Sequence, residues 1–162
     1  MPRGELLKLD DVDTYALFEK AKAQFVLSPT SVHGPKHWLS VLANGELLAR
    51  STNADFSFVV VFSLLHDCRR ENEWLEPQHG ARAASLAKDL NGILYDFDDL
   101  RLSRLTEALR FHDAGKINSD IDISCCWSAD RIKLRRVGIE SSRWGFCDVT
   151  WPIAKSILAD WK

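Results

Sequence analysis

The segment Phe58-Val-Val-Val-Phe-Ser-Leu-Leu-His-Asp-Cys-Arg-Arg-Glu71 joins an apolar run directly to a His-Asp pair, which two arginines and a glutamate follow. Neither glycine nor proline occurs from Asp55 to Glu71, and this favours a buried helix over a short strand. Ionisable side chains at the edge of a core are costly unless they are paired or bind a metal. We therefore interpret His66 and Asp67 as the centre of a functional site, to which other helices supply the remaining groups.

Helical periodicity recurs along the rest of the chain, and no segment indicates a sheet. Acidic residues and apolar spacing predict a first helix over residues 9–25. Pro35 suits the first turn of a second helix that extends to Arg50, with Asn44-Gly45 as an interruption. Further helices are predicted over residues 55–71, 78–90, 98–112, 128–137 and 151–161, with a polar loop over residues 113–124. The pattern predicts one all-α domain over residues 1–162, a bundle of about six to eight helices.

Composition limits the classes of function and the compartment. A formal net charge of −2 and a pI near 6.2 argue against a general nucleic-acid binder, although a basic run over residues 131–136 could face a small phosphate. No apolar stretch approaches the roughly 20 residues of a membrane span, and Met1-Pro-Arg-Gly-Glu5 lacks the apolar region of a signal peptide. We expect a cytoplasmic protein that does not enter a membrane, with all of its cysteines reduced.

The residues that could bind a metal lie mostly at the ends of the predicted helices. Imidazole and carboxylate ligands together suit a borderline divalent ion such as Mn, Fe, Co, Ni or Zn, whereas calcium prefers oxygen ligands only. We predict one or two such ions. The candidate ligands are His37, His66, Asp67, His79, His112 and Asp130.

Three segments together resemble a known signature. His37-Trp-Leu-Ser-Val41, Leu64-Leu-His-Asp67 and Ser128-Ala-Asp-Arg-Ile132 are similar to the H…HD…D pattern of the HD-domain metal-dependent phosphohydrolase superfamily, which has an all-helical fold. The resemblance covers roughly residues 30–137. It implies that His37, His66, Asp67 and Asp130 bind one ion. Two further histidines, His79 and His112, resemble those of binuclear members, in which the aspartate that corresponds to Asp67 bridges two ions.

A second His-Asp pair offers an alternative alignment with the same signature. His112-Asp-Ala-Gly-Lys116 resembles the common His-Asp-Ile-Gly-Lys form more closely, and His79 would then be the first ligand. In that alignment Asp130 follows Asp113 by only 17 residues, which leaves no room for the intervening helices. We favour the earlier pair, because 63 residues separate Asp67 from Asp130.

Charged residues near the first pair are candidates for catalysis and substrate binding. Guanidinium groups match phosphate oxygens in two-point contacts, so we expect Arg69 to bind substrate and Arg70 to act in catalysis together with Asp67. Glu71 is a candidate general acid or base. The remaining predicted substrate contacts are His33 and Lys116, with Arg82, Lys133 and Arg136 as further candidates for phosphate binding.

The predicted function is hydrolysis of a small phosphate ester or nucleotide by water that a bound metal activates. Two alternatives stay open. The first is a di-iron oxygenase, since some HD-type proteins use the same four-His, two-Asp set to hold two irons for oxygenative cleavage. The second is a non-catalytic domain that binds a nucleotide for signalling. The expected partner is a small phosphorylated substrate, and self-association is left open.

Overall fold

Local sequence signals place the helix boundaries. The structure is a computed structural model that describes residues 9–143 and 145–160. The N-terminal segment that bears on a signal peptide, and the predicted end of the last helix at Trp161, lie outside these residues. The helices of the described part are α1 Thr14–Gln24, α2 Pro35–Thr52, α3 Phe56–Leu65, α4 His79–Leu90, α5 Asp99–Phe111, α6 Ile121–Arg131 and α7 Trp151–Ala159, with one 3₁₀-helix over Leu134–Val137.

The all-α prediction is confirmed, because the described residues contain seven α-helices and no sheet. The β-type pairing among them is limited to isolated bridges that join Val12 and Asn91 to Tyr95. Aspartates begin four helices by accepting backbone N–H groups: Asp13, Asp55, Asp98 and Asp120. Within the described ranges no helix is long and apolar enough to cross a membrane.

Helix α3 forms the centre of the bundle. Every residue from Phe58 to Leu65 is fully buried, and α1, α2, α5 and α6 pack around this helix. Because α3 is apolar on all sides, its side chains are removed from water only when the whole helix lies inside the core. The helix ends at Leu65 rather than continuing to Glu71 as predicted, so His66 and Asp67 lie in the turn that follows it.

Two predicted features of the helices are wrong. Helix α2 is continuous through Asn44 and Gly45. Asn44 Nδ2 donates to the Ala129 carbonyl at 3.3 Å, and Val59 packs against Gly45, where a side chain would leave no space for it. The predicted loop over residues 113–124 ends at Asp120, where α6 begins seven residues before the predicted helix, because Asp120 caps the N–H groups of Asp122 and Ile123. The predicted helix over residues 128–137 is divided between the end of α6 at Arg131 and the 3₁₀-helix Leu134–Val137.

Candidate metal centre

Two pairs of helices bring four histidines to one buried region. His37 lies in the first turn of α2, and His66 follows the last residue of α3. His79 begins α4, and His112 follows the last residue of α5. The start of α2 therefore meets the end of α3, and the start of α4 meets the end of α5. Each meeting brings together two imidazoles that are far apart in sequence.

The first group of ligands, which we call site 1, comprises His37, His66, Asp67 and Asp130. The Nε2 atoms of His37 and His66 lie 3.1 Å apart. Asp130 places Oδ1 at 3.1 Å from His37 Nε2 and 3.8 Å from His66 Nε2. Asp67 Oδ2 is 3.7 Å from each of these nitrogens. All four predicted ligands of the first ion thus converge, with room between them on the scale of a small cation.

The second group, site 2, comprises Asp67, His79 and His112. The Nε2 atoms of His79 and His112 lie 3.0 Å apart. Asp67 Oδ1 is 3.4 Å from His79 Nε2 and 3.5 Å from His112 Nε2. Asp67 therefore directs one carboxylate oxygen to each site, which is the position of a carboxylate that bridges two ions.

Several buried polar atoms of the two sites have no hydrogen-bond partner among the described residues. They include Oδ1 of Asp67, Oδ1 of Asp130 and Nδ1 of His37. A buried carboxylate oxygen without a partner costs free energy on the order of 1–3 kcal/mol or more. Since two such oxygens face imidazole nitrogens, a divalent cation fits the donor set.

Backbone hydrogen bonds fix three of the imidazole rings. Nδ1 of His66 donates to the Ser63 carbonyl at 3.0 Å, and Nδ1 of His112 donates to the Leu109 carbonyl at 2.7 Å. Nδ1 of His79 donates to the Glu76 carbonyl in the same way. Each neutral ring therefore presents a lone pair at Nε2, as metal-binding histidines do.

The facing lone pairs at site 2 need a positive charge between them. His79 and His112 both carry their ring proton on Nδ1, so their Nε2 atoms at 3.0 Å repel each other unless a proton or a cation lies between them. This geometry fits a site that holds either a proton or a metal cation.

Burial and charge set the protonation states of the ligands. Complete burial lowers the pKa of His66 to about 3, despite the nearby carboxylates. Burial alone would raise the pKa of Asp67, but His66, His112 and His33 outweigh it and hold this pKa well below its usual range. Burial would likewise raise the pKa of Asp130, but the close approach of His37 Nε2 and the charge of Arg136 outweigh burial and lower this pKa. The carboxylates are therefore anionic and His66 is neutral, which are the forms that bind metals.

At site 2 one imidazole holds a proton. Burial would lower the pKa of His112, but the negative charge of Asp67, whose Oδ1 lies 3.5 Å from His112 Nε2, outweighs burial and raises this pKa to about 9. Burial and the neighbouring charge of His112 lower the pKa of His79. Without a metal, the proton between the facing nitrogens accordingly belongs to His112.

One guanidinium flanks each site. Arg70 Nη1 lies 3.5 Å from Asp67 Oδ1 and 3.4 Å from His79 Nε2, and its Nη2 donates to the Trp74 carbonyl at 2.6 Å. On the other side, Arg136 places Nη2 at 3.8 Å from Asp67 Oδ2 and Nη1 at 3.8 Å from Asp130 Oδ1. Both guanidinium groups thus lie within 4 Å of a carboxylate of the candidate centre.

His33 contacts the centre directly. Its Nδ1 lies 3.1 Å from Asp67 Oδ2, and Arg136 Nη2 lies 3.4 Å from the same ring nitrogen. The His33 carbonyl accepts a 2.7 Å hydrogen bond from Nε1 of the fully buried Trp38. The predicted substrate-binding residue thus lies against the bridging carboxylate.

Three predicted site residues do not reach the centre. The Arg69 guanidinium donates to the Gln24 side chain, and exposed Glu71 pairs with Arg82 at 3.5 Å. Lys116 is exposed and lies over the Phe111 ring at 4.3 Å. The turn after α3 directs Arg70 inward and its two neighbours outward.

The alternative His-Asp pair occupies the edge of site 2. Asp113 Oδ2 is 3.9 Å from His79 Nε2, and the Asp113 side chain is 42% exposed, against 3% for Asp67. Asp67 lies between both sites, whereas Asp113 contacts only one. The geometry therefore favours the His66-Asp67 pair as the centre.

A cleft of about 390 Å³, which we call the basic cleft, opens beside site 1. Its walls are the loop over residues 30–32, the first turns of α2 and the segment that holds Lys133 and Arg136. His37 and Arg136 border both the cleft and site 1. Sequence reasoning missed Lys36 as part of this wall, although its place beside His37 in the same helical turn is visible in the sequence.

No protein-family model, curated protein or solved structure matches this chain. The resemblance to the HD-domain superfamily accordingly stays a prediction from the motifs of the chain.

Proposed function

We propose that this protein is a metal-dependent phosphohydrolase of the HD type that acts on a small phosphate ester or nucleotide. The observation that carries the proposal is the position of Asp67, whose two buried oxygens face the two imidazole pairs. A carboxylate between two ligand groups, with a guanidinium beside each oxygen, suits a centre that holds cations and an anionic substrate together.

Sites 1 and 2 would hold one divalent ion each, with Mn, Co, Ni, Fe or Zn as the candidates that fit imidazole and carboxylate donors. The bound metal would supply Lewis-acid chemistry, making water nucleophilic near neutral pH and neutralising charge on a phosphoryl oxygen. Every other part of the reaction is assigned to side chains of this chain.

The arginines would bind and orient the phosphoryl group. Arg136 approaches from the Oδ2 side of Asp67, and Arg70 approaches from the Oδ1 side. In hydrolysis a water oxygen forms a bond to phosphorus, the ester P–O bond breaks, and the leaving oxygen keeps the electron pair and takes a proton. Asp67 would orient the attacking water, and the guanidinium groups would offset charge that develops on the phosphoryl oxygens.

A cytoplasmic location is part of the proposal. All four cysteines are free thiols, and three of them are buried. Reduced cysteines are typical of a cytosolic environment, where disulfides are rare.

A phosphatase screen tests the function. Protein stripped with a chelator and reloaded with Mn or Co should release phosphate from at least one member of a panel of phosphate esters. Asp67→Asn should abolish release, whereas Asp89→Asn, the same change at an exposed position of α4, should not. Inactivity across the panel at full metal occupancy would count against the proposal.

The di-iron oxygenase remains the second candidate, because four histidines and two aspartates converge as that chemistry requires. Its test is the metal content of the protein as isolated. Two irons per chain and consumption of O₂ with a substrate would favour it, and a single manganese or nickel ion would exclude it.

A further inference from the structure

The basic cleft carries a concentration of positive charge. Lys36, Lys133 and Arg136 lie in its walls, and none of the described residues that line it carries a carboxylate. The Ser40 hydroxyl in the wall donates to the Lys36 carbonyl at 3.1 Å, so the cations are the groups that face the cleft with a charge. Since the whole chain has a formal net charge of −2, this concentration is local. A concave surface lined by cations is complementary to an anion.

Two of these cations lie close enough to oppose each other. Burial and the neighbouring charge of Arg136 lower the pKa of Lys133. Arg136 also donates from Nη1 to the backbone carbonyl of Lys133 at 3.1 Å, which holds the guanidinium beside this residue. A bound anion would stabilise both positive charges.

The cleft is continuous with the metal centre. His37 lines it and also belongs to site 1, and Arg136 lines it while its guanidinium faces Asp67 and Asp130. Arg136 Nε donates to the Val32 carbonyl at 3.0 Å, which fixes the loop that forms the opposite wall. One small molecule can therefore extend from site 1 into the cleft.

We propose that the basic cleft binds a second anionic group of the substrate. The substrate is then a small compound that carries a phosphate ester at the metal centre and a separate phosphate or carboxylate in contact with Lys36 and Lys133. This inference rests on the proposed function for the reacting phosphate, but anion binding in the cleft can be measured without hydrolysis.

The first experiment measures binding of inorganic phosphate to the metal-free full-length chain by calorimetry. We expect Lys36→Ala combined with Lys133→Ala to weaken binding at least about tenfold, because two charge-assisted contacts are removed. The matched control combines Lys88→Ala with Lys155→Ala, which removes the same charge from exposed positions outside the cleft. Ser40→Asp, which keeps both lysines and adds a carboxylate to the cleft, should weaken binding as well.

The second experiment compares a matched pair of compounds with the Mn-loaded protein. In 3-phosphoglycerate a carboxylate replaces a hydroxymethyl group of glycerol 3-phosphate. We expect kcat/KM to be at least about tenfold higher for the carboxylate compound, and the double lysine variant to lose this preference.

The outcomes separate the two proposals. Phosphate binding that the lysine variants and Ser40→Asp leave unchanged overturns the cleft proposal, even if the enzyme is active. Equal kcat/KM values for the two compounds overturn it as well. Conversely, phosphate binding that depends on the lysines, in a protein that hydrolyses nothing, supports the cleft and contradicts the phosphohydrolase.

Discussion

Asp67 presents its carboxylate oxygens to different neighbours, Oδ2 to His37 and His66 and Oδ1 to His79 and His112. A change at this residue therefore affects both sites, whereas a change at a histidine affects one. The metal content of single variants can therefore distinguish a ligand that both sites share from a ligand that serves one site.

We expect Asp67→Asn to lose most of the bound metal at both sites, because an amide is a much weaker ligand than a carboxylate. His79→Ala should lose about one equivalent, since only site 2 uses its imidazole. Elemental analysis of protein reconstituted with Mn or Co measures both results, with Asp89→Asn as the control. Full metal content in Asp67→Asn would contradict the assignment of a bridging ligand.

Metal uptake at site 2 should release a proton. The pKa of His112 is about 9 in the metal-free chain, so this ring is protonated at neutral pH and must become neutral to bind a metal. Protons therefore compete with the metal below pH 9, and the affinity of site 2 should rise with pH by up to about tenfold per unit until that value.

Calorimetry in two buffers of different ionisation enthalpy measures this proton. His66, with a pKa of about 3, is already neutral at pH 7.5 and releases none. The His79→Ala variant, which retains only site 1, should accordingly release about one proton fewer than wild type. An affinity of site 2 that does not change between pH 7 and pH 9 would contradict the loss of a proton from His112 on metal binding.

The sequence predicts individual ligands better than it predicts the charged residues around them. His66 and Asp67 stand out because they end an apolar run, and that position fixes them at the edge of the core. The directions of Arg69, Arg70 and Glu71 depend on the turn after Leu65, where the helix ends earlier than its composition suggests. A one-residue step in such a turn points a side chain inward or outward, and no residue pattern encodes that step.

At the scale of elements, a close approach of helices α4 and α5 positions site 2. A Cβ added at Gly80 would lie 2.6 Å from the Leu109 carbonyl oxygen and 2.9 Å from that of Arg110. Both atoms belong to the backbone at the end of α5 and cannot rotate away. Gly80 therefore permits the distance at which His79 and His112 meet.

Gly80→Ala should push the start of α4 away from the end of α5. We expect a loss of unfolding free energy of about 1–3 kcal/mol, as for other overpacked positions, together with loss of about one metal equivalent. Denaturant unfolding and elemental analysis measure the two effects. Ser85→Ala, on an exposed position of the same helix, should change neither.

Helix α2 shows why some element boundaries could not be predicted. Asn-Gly commonly ends a helix or forms a turn, but Asn44 donates to the Ala129 carbonyl of α6 and Gly45 contacts Val59 of α3. A Cβ on Gly45 would lie 2.5 Å from Val59 Cγ1. Asn44 and Gly45 thus make contacts between helices, and such tertiary contacts override the low helix propensity of these two residues.

At the scale of the whole molecule, the candidate metal centre lies where most of the helices of the bundle meet. The residues that could bind an ion come from the ends of α2, α3, α4 and α5 and from α6, so a bound ion would connect five helices. The all-α class was predictable, because apolar periodicity recurs in nearly every segment. The order in which the helix ends meet was not, since it depends on packing across the whole core.

Metal should therefore raise the melting temperature of the full chain. At a free metal concentration about 100 times Kd, mass action adds about 2.7 kcal/mol, which corresponds to roughly 5–10 °C for a chain of this size. Thermal unfolding of chelator-treated and Mn-reloaded protein measures this difference. Asp67→Asn should show little of it, and an equal rise in that variant would place the stabilising ion elsewhere.

The depth of the ligands also governs how quickly an ion can leave. His66 is 0% exposed, His79 1% and Asp67 2%, so an ion bound between them would have little direct contact with bulk solvent. Its departure from site 2 would require a flanking segment to open, and local openings of that kind occur on timescales from microseconds to seconds. Metal exchange would then be limited by motion of the protein rather than by the release of a single ligand.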